Sequence, residues 1–70
     1  MRILIVIEKS RTGYSAYAPD LQGCVATGRT RKQVERAMQQ AIEFHLSGMR
    51  EDGIEVPRPR STSAYVEVPA

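Results

Sequence analysis

The stretch that decides the fold is residues 14–30, YSAYAPDLQGCVATGRT. Two short segments with strand composition flank its centre, PDLQGC at residues 19–24. Proline withholds a hydrogen-bond donor from a strand, aspartate can bond the backbone amides just after it, and Gly23 lets the chain reverse. We therefore predict a strand over residues 14–18, a turn, and a short strand over residues 24–27.

Upstream of this stretch, residues 3–7 read ILIVI and have charged neighbours. A run of this length and type is typical of a strand with apolar side chains on both faces. The segment SRTG at residues 10–13 supplies turn chemistry, so this strand and the strand over residues 14–18 are predicted to form a hairpin.

Downstream of the stretch, a long amphipathic segment has a clear beginning and end. Thr30 and Gln33 have the spacing of a capping box, in which each side chain bonds a backbone amide of the first turn. Apolar residues then recur on one side at helical spacing. Gly53 occupies the position expected of a helix C-cap. We predict a helix over residues 31–52.

Residues 62–68, TSAYVEV, alternate between polar and apolar side chains and are predicted to form a last strand. The fold class is therefore α+β, with the order β-β-β-α-β in a single domain over residues 1–70. The sheet should be four-stranded and mostly antiparallel, with the helix packed on one face. Since one helix covers only one face, the two-sided first strand needs a second cover, and we expect self-association as a dimer or tetramer.

The composition narrows the functional classes. Ten basic and eight acidic residues give a net charge of only +2 in 70 residues. The single cysteine excludes an internal disulfide and fits a reducing cytoplasm, and no Cys/His cluster indicates a metal. The apolar run at the N-terminus ends at Ile7, which is too short for a secretory signal or a membrane span. We expect a cytoplasmic protein with no cofactor and no membrane association.

The turn motif, PDLQGC at residues 19–24 followed by Gly-x-Thr at residues 28–30, resembles the hallmark segment of HicB-like antitoxins. The helix end AIEFHLSGM at residues 41–49 and the prolines at 57 and 59 are also similar to that family. The resemblance covers nearly the whole chain. The positions to which we assign a structural role are Pro19, Asp20, Leu21, Gly23, Cys24, Gly28, Thr30 and Gly53.

The resemblance implies a partial ribonuclease H-like fold without nuclease function. It also implies the family's role, which is to bind and silence HicA, a small toxin that cleaves messenger RNA. Full-length members add a C-terminal DNA-binding domain, whereas this chain stops at Ala70, so we expect no such domain and no direct DNA binding. The family often has acidic residues near the helix start, where this chain has Arg29, Arg31 and Lys32.

Two features are candidates for partner binding. The basic residues at the helix start, Arg29, Arg31, Lys32 and Arg36, form either a surface for an acidic partner or RNA, or a solvated cluster. Tyr14 and Tyr17 have opposite parity in one strand, so one of them should lie on the sheet face that the helix does not cover. We take Tyr17 as the candidate.

No residue set favours catalysis. His45 lies in the apolar stripe of the helix with no marked acid or nucleophile, so a packed histidine is the better interpretation. Cys24 is better explained as a small packed residue than as a nucleophile. The carboxylates do not converge as two-metal chemistry requires. We therefore expect an antitoxin that neutralises a HicA-type toxin by occlusion and is not an enzyme. The alternative is a small nucleic-acid-binding module that uses the basic helix start.

Overall fold

The computed structural model describes residues 1–70 and contains three strands followed by one helix. The strands are Val6–Lys9 (β1), Tyr14–Tyr17 (β2) and Val25–Gly28 (β3), and the helix is Arg31–Glu51 (α1). The strands form one antiparallel sheet in the order β1-β2-β3. The predicted α+β class is confirmed, with three strands in place of four.

The hairpin register decides which side chains face the helix. Ala16 lies opposite Ile7 on β1 and opposite Ala26 on β3, and these three residues share one face of the sheet. Ala16 is buried and the other two pack against the core. Helix α1 covers this face, mainly over β3 and β2.

Strand β1 begins at Val6, so the prediction that it begins at residue 3 was wrong. Val6 pairs with Tyr17, the last residue of β2. Beyond it the chain turns away, because the Leu21 amide closes a turn onto the Ala18 carbonyl oxygen at 3.0 Å and Pro19 has no amide hydrogen to donate to β1. Residues 3–5 therefore extend past the end of β2 with no strand to pair with.

The turn motif is part of the core. Two of its residues, Leu21 and Cys24, are buried together with the preceding Ala18 and with Val34 and Met38 of α1. Backbone hydrogen bonds fold the turn, from the Leu21 amide to the Ala18 carbonyl at 3.0 Å and from the Cys24 amide to the Leu21 carbonyl at 3.2 Å. Leu21 is 2% exposed, so this turn covers one end of the small core.

The start of α1 is held by side-chain caps and lies directly against β3. The Thr30 hydroxyl accepts a hydrogen bond from the Gln33 amide at 3.1 Å, and the Gln33 side chain accepts one from the Arg29 amide at 3.0 Å. A Cβ atom at Gly28 would lie 2.6 Å from the backbone nitrogen of Val34. Glycine at this position therefore permits the close approach of helix and sheet.

The end of α1 has the geometry of a glycine cap. Gly53 has a φ of +71°, in the left-handed region that glycine adopts readily. Its amide donates to the Arg50 carbonyl at 3.1 Å, and the Ile54 amide donates to the Met49 carbonyl at 2.8 Å. The helix lacks a stretch that is both long and apolar enough to cross a membrane.

The C-terminal tail, residues 62–70, forms no strand, and the prediction of a strand over residues 62–68 was wrong for the single chain. Tyr65 and Val66 are 105% and 80% exposed. The alternating pattern shows which side chains a strand would place on each face, but a strand also needs an edge to bond. A cleft of about 530 Å³ lies between β1 and residues 63–65. The ribonuclease H-like topology, which needs that strand, stays a prediction.

Candidate protein-binding surface

The sheet face opposite α1, which we call the open face, carries a row of apolar side chains. Val6, Tyr17 and Val25 are direct cross-strand neighbours on β1, β2 and β3. Tyr17 is 42% exposed and Val25 is 65% exposed. The next row across the three strands is polar and consists of Glu8, Ser15 and Thr27.

This apolar row has the composition of a protein-binding site. Tyrosine is enriched at protein interfaces because its large rigid ring buries much area and its hydroxyl can still be hydrogen-bonded. Tyr14 lies on the helix side of the sheet, where it is half-buried and the Lys9 ammonium stands 5.3 Å from its ring centre. Between the two tyrosines of β2, the structure thus places Tyr17 on the open face. Sequence reasoning missed Val6 and Val25 as its neighbours, because parity gives no cross-strand register.

The turn motif anchors the C-terminal tail. One Asp20 oxygen, Oδ2, accepts hydrogen bonds from the amides of Arg60 and Ser61 at 3.0 and 3.1 Å, and Oδ1 accepts one from the Ser61 hydroxyl at 2.8 Å. The bonds from Ser61, then that from Arg60 and its charge, lower the pKa of Asp20. We call this arrangement the Asp20 anchor. The expectation that Asp20 bonds the amides just after it was wrong, because backbone carbonyls already close the turn.

The two residues that were weighed as a nucleophile and a base are Cys24 and His45. Cys24 is 4% exposed, and burial raises the pKa of its thiol, which keeps the thiol protonated at neutral pH. His45 is half-buried on α1. The chain also contains no group of three His, Cys, Asp or Glu side chains that could hold a metal ion.

The four basic residues at the helix start are all exposed, and they line different hollows of the surface. Lys32 and Arg36, one helical turn apart, line a shallow hollow with Gln33. Arg31 lines the cleft beside β1 and the tail. Arg29 lies at the hairpin turn, in a third hollow. The four cationic side chains at this end of the molecule therefore line three different hollows.

Helix α1 carries one further exposed aromatic residue. Phe44 is 83% exposed and lies on the solvated side of the helix. It lies on a different element from the open face and so offers a comparison residue for tests of that face.

Comparison with known proteins gives a family and two relatives. A family model described as "HicB_like antitoxin of bacterial toxin-antitoxin system" matches residues 3–70. An uncharacterized 14.9 kDa protein in the rep-hol intergenic region of Haemophilus phage HP1 is 37% identical over 65 residues, 93% of this chain and 49% of the relative. A UPF0150 protein of Helicobacter pylori strain J99 is 35% identical over 69 residues, 97% of this chain and 96% of the relative.

The chain thus spans about half the length of the phage relative and nearly the whole of the Helicobacter protein. The family model covers all three strands, the turn motif, the helix and the tail. The matched residues include the Pro-Asp-Leu-x-Gly-Cys turn, which supplies core residues and the Asp20 anchor. The chain belongs to the HicB-like antitoxin family of bacterial toxin–antitoxin systems.

Proposed function

We propose that this protein neutralises a HicA-type messenger-RNA-cleaving toxin by occlusion, with the open face as the docking surface. The family implies a toxin as partner. The observation that carries the proposal is the apolar row of Val6, Tyr17 and Val25 on the sheet face opposite α1, in which Tyr17 and Val25 are exposed and Val6 is half-buried. Because the toxin acts on messenger RNA, the proposal places the pair in the cytoplasm.

Charge favours the open face over the helix start as the contact surface. An enzyme that cleaves RNA needs a cationic surface to attract phosphates. A protein that covers such a surface should be neutral or acidic there. The open face carries the Glu8 carboxylate and no lysine or arginine among its six side chains. The basic residues at the helix start would instead repel a cationic toxin.

Occlusion requires no chemistry from this chain. Tyr17 would be buried in the complex as the central anchor, with Val6 and Val25 excluding water around it. Removal of such an anchor commonly costs about 2 kcal/mol of binding free energy, or roughly a 30-fold increase in Kd. The buried, protonated Cys24 and the half-buried His45 take no part in this mechanism.

The test uses a purified HicA-type toxin and two matched aromatic truncations. Tyr17→Ala should weaken toxin binding by roughly 30-fold, measured by calorimetry, and should restore RNA cleavage at equal concentrations of the two proteins. Phe44→Ala removes an exposed aromatic from α1 and should leave both readouts unchanged. Circular dichroism confirms that each variant is folded. Wild-type binding by a folded Tyr17→Ala variant contradicts the proposal.

The second candidate function is a nucleic-acid-binding module, which is favoured by the exposure of all four basic residues. It predicts that RNA or DNA is retained without any toxin, with an affinity that falls steeply as salt rises. Gel-shift titrations at two salt concentrations test it directly. Charge reversal at Lys32 and Arg36 should abolish retention in that case and should leave toxin binding by the open face intact.

A further inference from the structure

The C-terminal tail extends from the body of the molecule with its apolar side chains in solvent. Tyr65, Val66 and Val68 are 105%, 80% and 71% exposed. The radius of gyration is 13.9 Å, whereas a compact domain of this length has about 11 Å. Only seven of the 70 residues are buried. A chain this small needs more buried surface than it makes for itself, and a partner subunit commonly supplies it.

Strand β1 offers the complementary surface. It is an edge strand, so half of its backbone amide and carbonyl groups point away from the sheet with no strand beside them. Next to this edge, an apolar groove of about 380 Å³ runs between the N-terminal segment and α1. Its apolar lining consists of Met1, Ile3, Ile5, Met38, Ile42 and Leu46.

We propose that two copies of this chain exchange their tails, so that residues 62–68 of each copy form the fourth strand on the β1 edge of the other. Alternation places Val66 and Val68 on the same side of such a strand, and Tyr65 and Glu67 on the opposite side. The two valines enter the groove beside α1. The tyrosine and the glutamate join the open face and extend it by one strand.

The occupant that we infer for this edge is a second copy, because the chain's own tail lies near β1 but makes no backbone hydrogen bond to it and leaves Val66 and Val68 exposed. The Asp20 anchor fixes the root of the tail at Arg60 and Ser61. From there the tail passes β1 across the cleft of about 530 Å³, without a ladder hydrogen bond. Each copy presents both a tail and an edge, so the exchange closes in a symmetric dimer and leaves neither element exposed.

The experiment mixes isotope-labelled and unlabelled copies of the full chain. Isotope-filtered NMR should show contacts between copies, from the methyl groups of Val66 and Val68 to Ile3 and Ile5. Light scattering should give twice the chain mass of 7.8 kDa. Contacts confined to single copies, or a species of 7.8 kDa at the NMR concentration, would overturn the exchange.

A matched pair of exposed valines tests the interface. Val66→Asp places a carboxylate in the apolar groove and should give monomers at concentrations where the wild-type chain is dimeric. Val25→Asp makes the same change on β3, at the opposite edge of the sheet, where the valine is 65% exposed. This variant should remain dimeric. A dimer that survives Val66→Asp, or that both changes break equally, contradicts the proposal.

The exchange does not depend on the proposed function, because no toxin enters either experiment. A chain that dimerises through its tail and does not bind toxin would support the exchange and refute the antitoxin mechanism. A monomer that neutralises toxin would support the antitoxin mechanism and refute the exchange.

Discussion

The contact between Gly28 and the first turn of α1 leaves no room for a methyl group, and Gly28→Ala should therefore destabilise the fold. The added Cβ would lie 2.6 Å from the Val34 nitrogen and 3.0 Å from its Cα, where ordinary contacts begin at 3.4 Å. The helix start must retreat by about 0.8 Å, the difference between 3.4 and 2.6 Å. Val34 and Met38, both 0% exposed, would move with it.

Overpacking of this kind costs about 1–3 kcal/mol. The expected loss in the free energy of unfolding is about 2 kcal/mol, which lowers the thermal midpoint by roughly 8–16 °C in a domain of this size. Gly28 does not have a positive φ, so the loss comes from the helix contact and not from backbone strain.

Gly48→Ala is the matched control, since it adds the same methyl group to the interior of α1 with no atom within 4 Å. It should stabilise the protein by up to about 1 kcal/mol, because alanine favours the helix. Urea unfolding followed by circular dichroism measures both variants at one protein concentration, since association raises apparent stability. A Gly28→Ala midpoint equal to or above that of the wild type would refute the packing argument.

Three further predictions concern the helix end, the Asp20 anchor and the buried thiol. Gly53→Val should lower the free energy of unfolding by more than about 1 kcal/mol, because a β-branched residue fits a positive φ badly, and an unchanged thermal midpoint would contradict this. The hydrogen bonds of the anchor lower the pKa of Asp20, so the anchor should be fully formed at pH values above the ordinary aspartate pKa of 3.8. It should be lost as the pH falls through the lower pKa that Asp20 has in the folded protein. The NMR shifts of the Arg60 and Ser61 amides should change over the same pH range. This pH dependence should be absent in Asp20→Asn, because asparagine does not titrate. Cys24 should react with a thiol reagent at neutral pH only as fast as the core opens, so a rapid first phase would count against its burial.

The boundaries of α1 and the extents of β2 and β3 could be predicted to within one residue because their signals are local. The Thr30 hydroxyl accepts a hydrogen bond from the Gln33 amide within one helical turn. The left-handed conformation at the end of the helix depends only on the presence of glycine at position 53. The turn between β2 and β3 likewise closes through backbone bonds over a few residues.

The start of β1 and the state of the tail could not be predicted, because both depend on a partner strand. Residues 3–5 have strand composition, yet β2 ends at Tyr17 and gives them nothing to pair with. Residues 62–68 alternate correctly, yet no edge of the same chain bonds them. Composition describes what a segment can form, and pairing decides what it does form.

The candidate surface was predictable in part for the same reason. Parity showed that either Tyr14 or Tyr17 lies on the open face, and the hairpin register decides which one and adds Val6 and Val25. The Asp20 anchor joins residues 40 and 41 positions apart, and no local pattern indicates such a contact.

That separation sets an order of events during folding. The hairpin, β3 and α1 each pair with a neighbour along the chain, a topology that favours rapid folding. The Asp20 anchor closes a loop of about 40 residues, and the chain entropy of that closure is offset only once both ends are already ordered. The C-terminal tail should therefore still be unattached when the core has already folded. Dimer formation should then appear in refolding experiments as a separate, second-order phase, whose rate rises with protein concentration while the first phase does not.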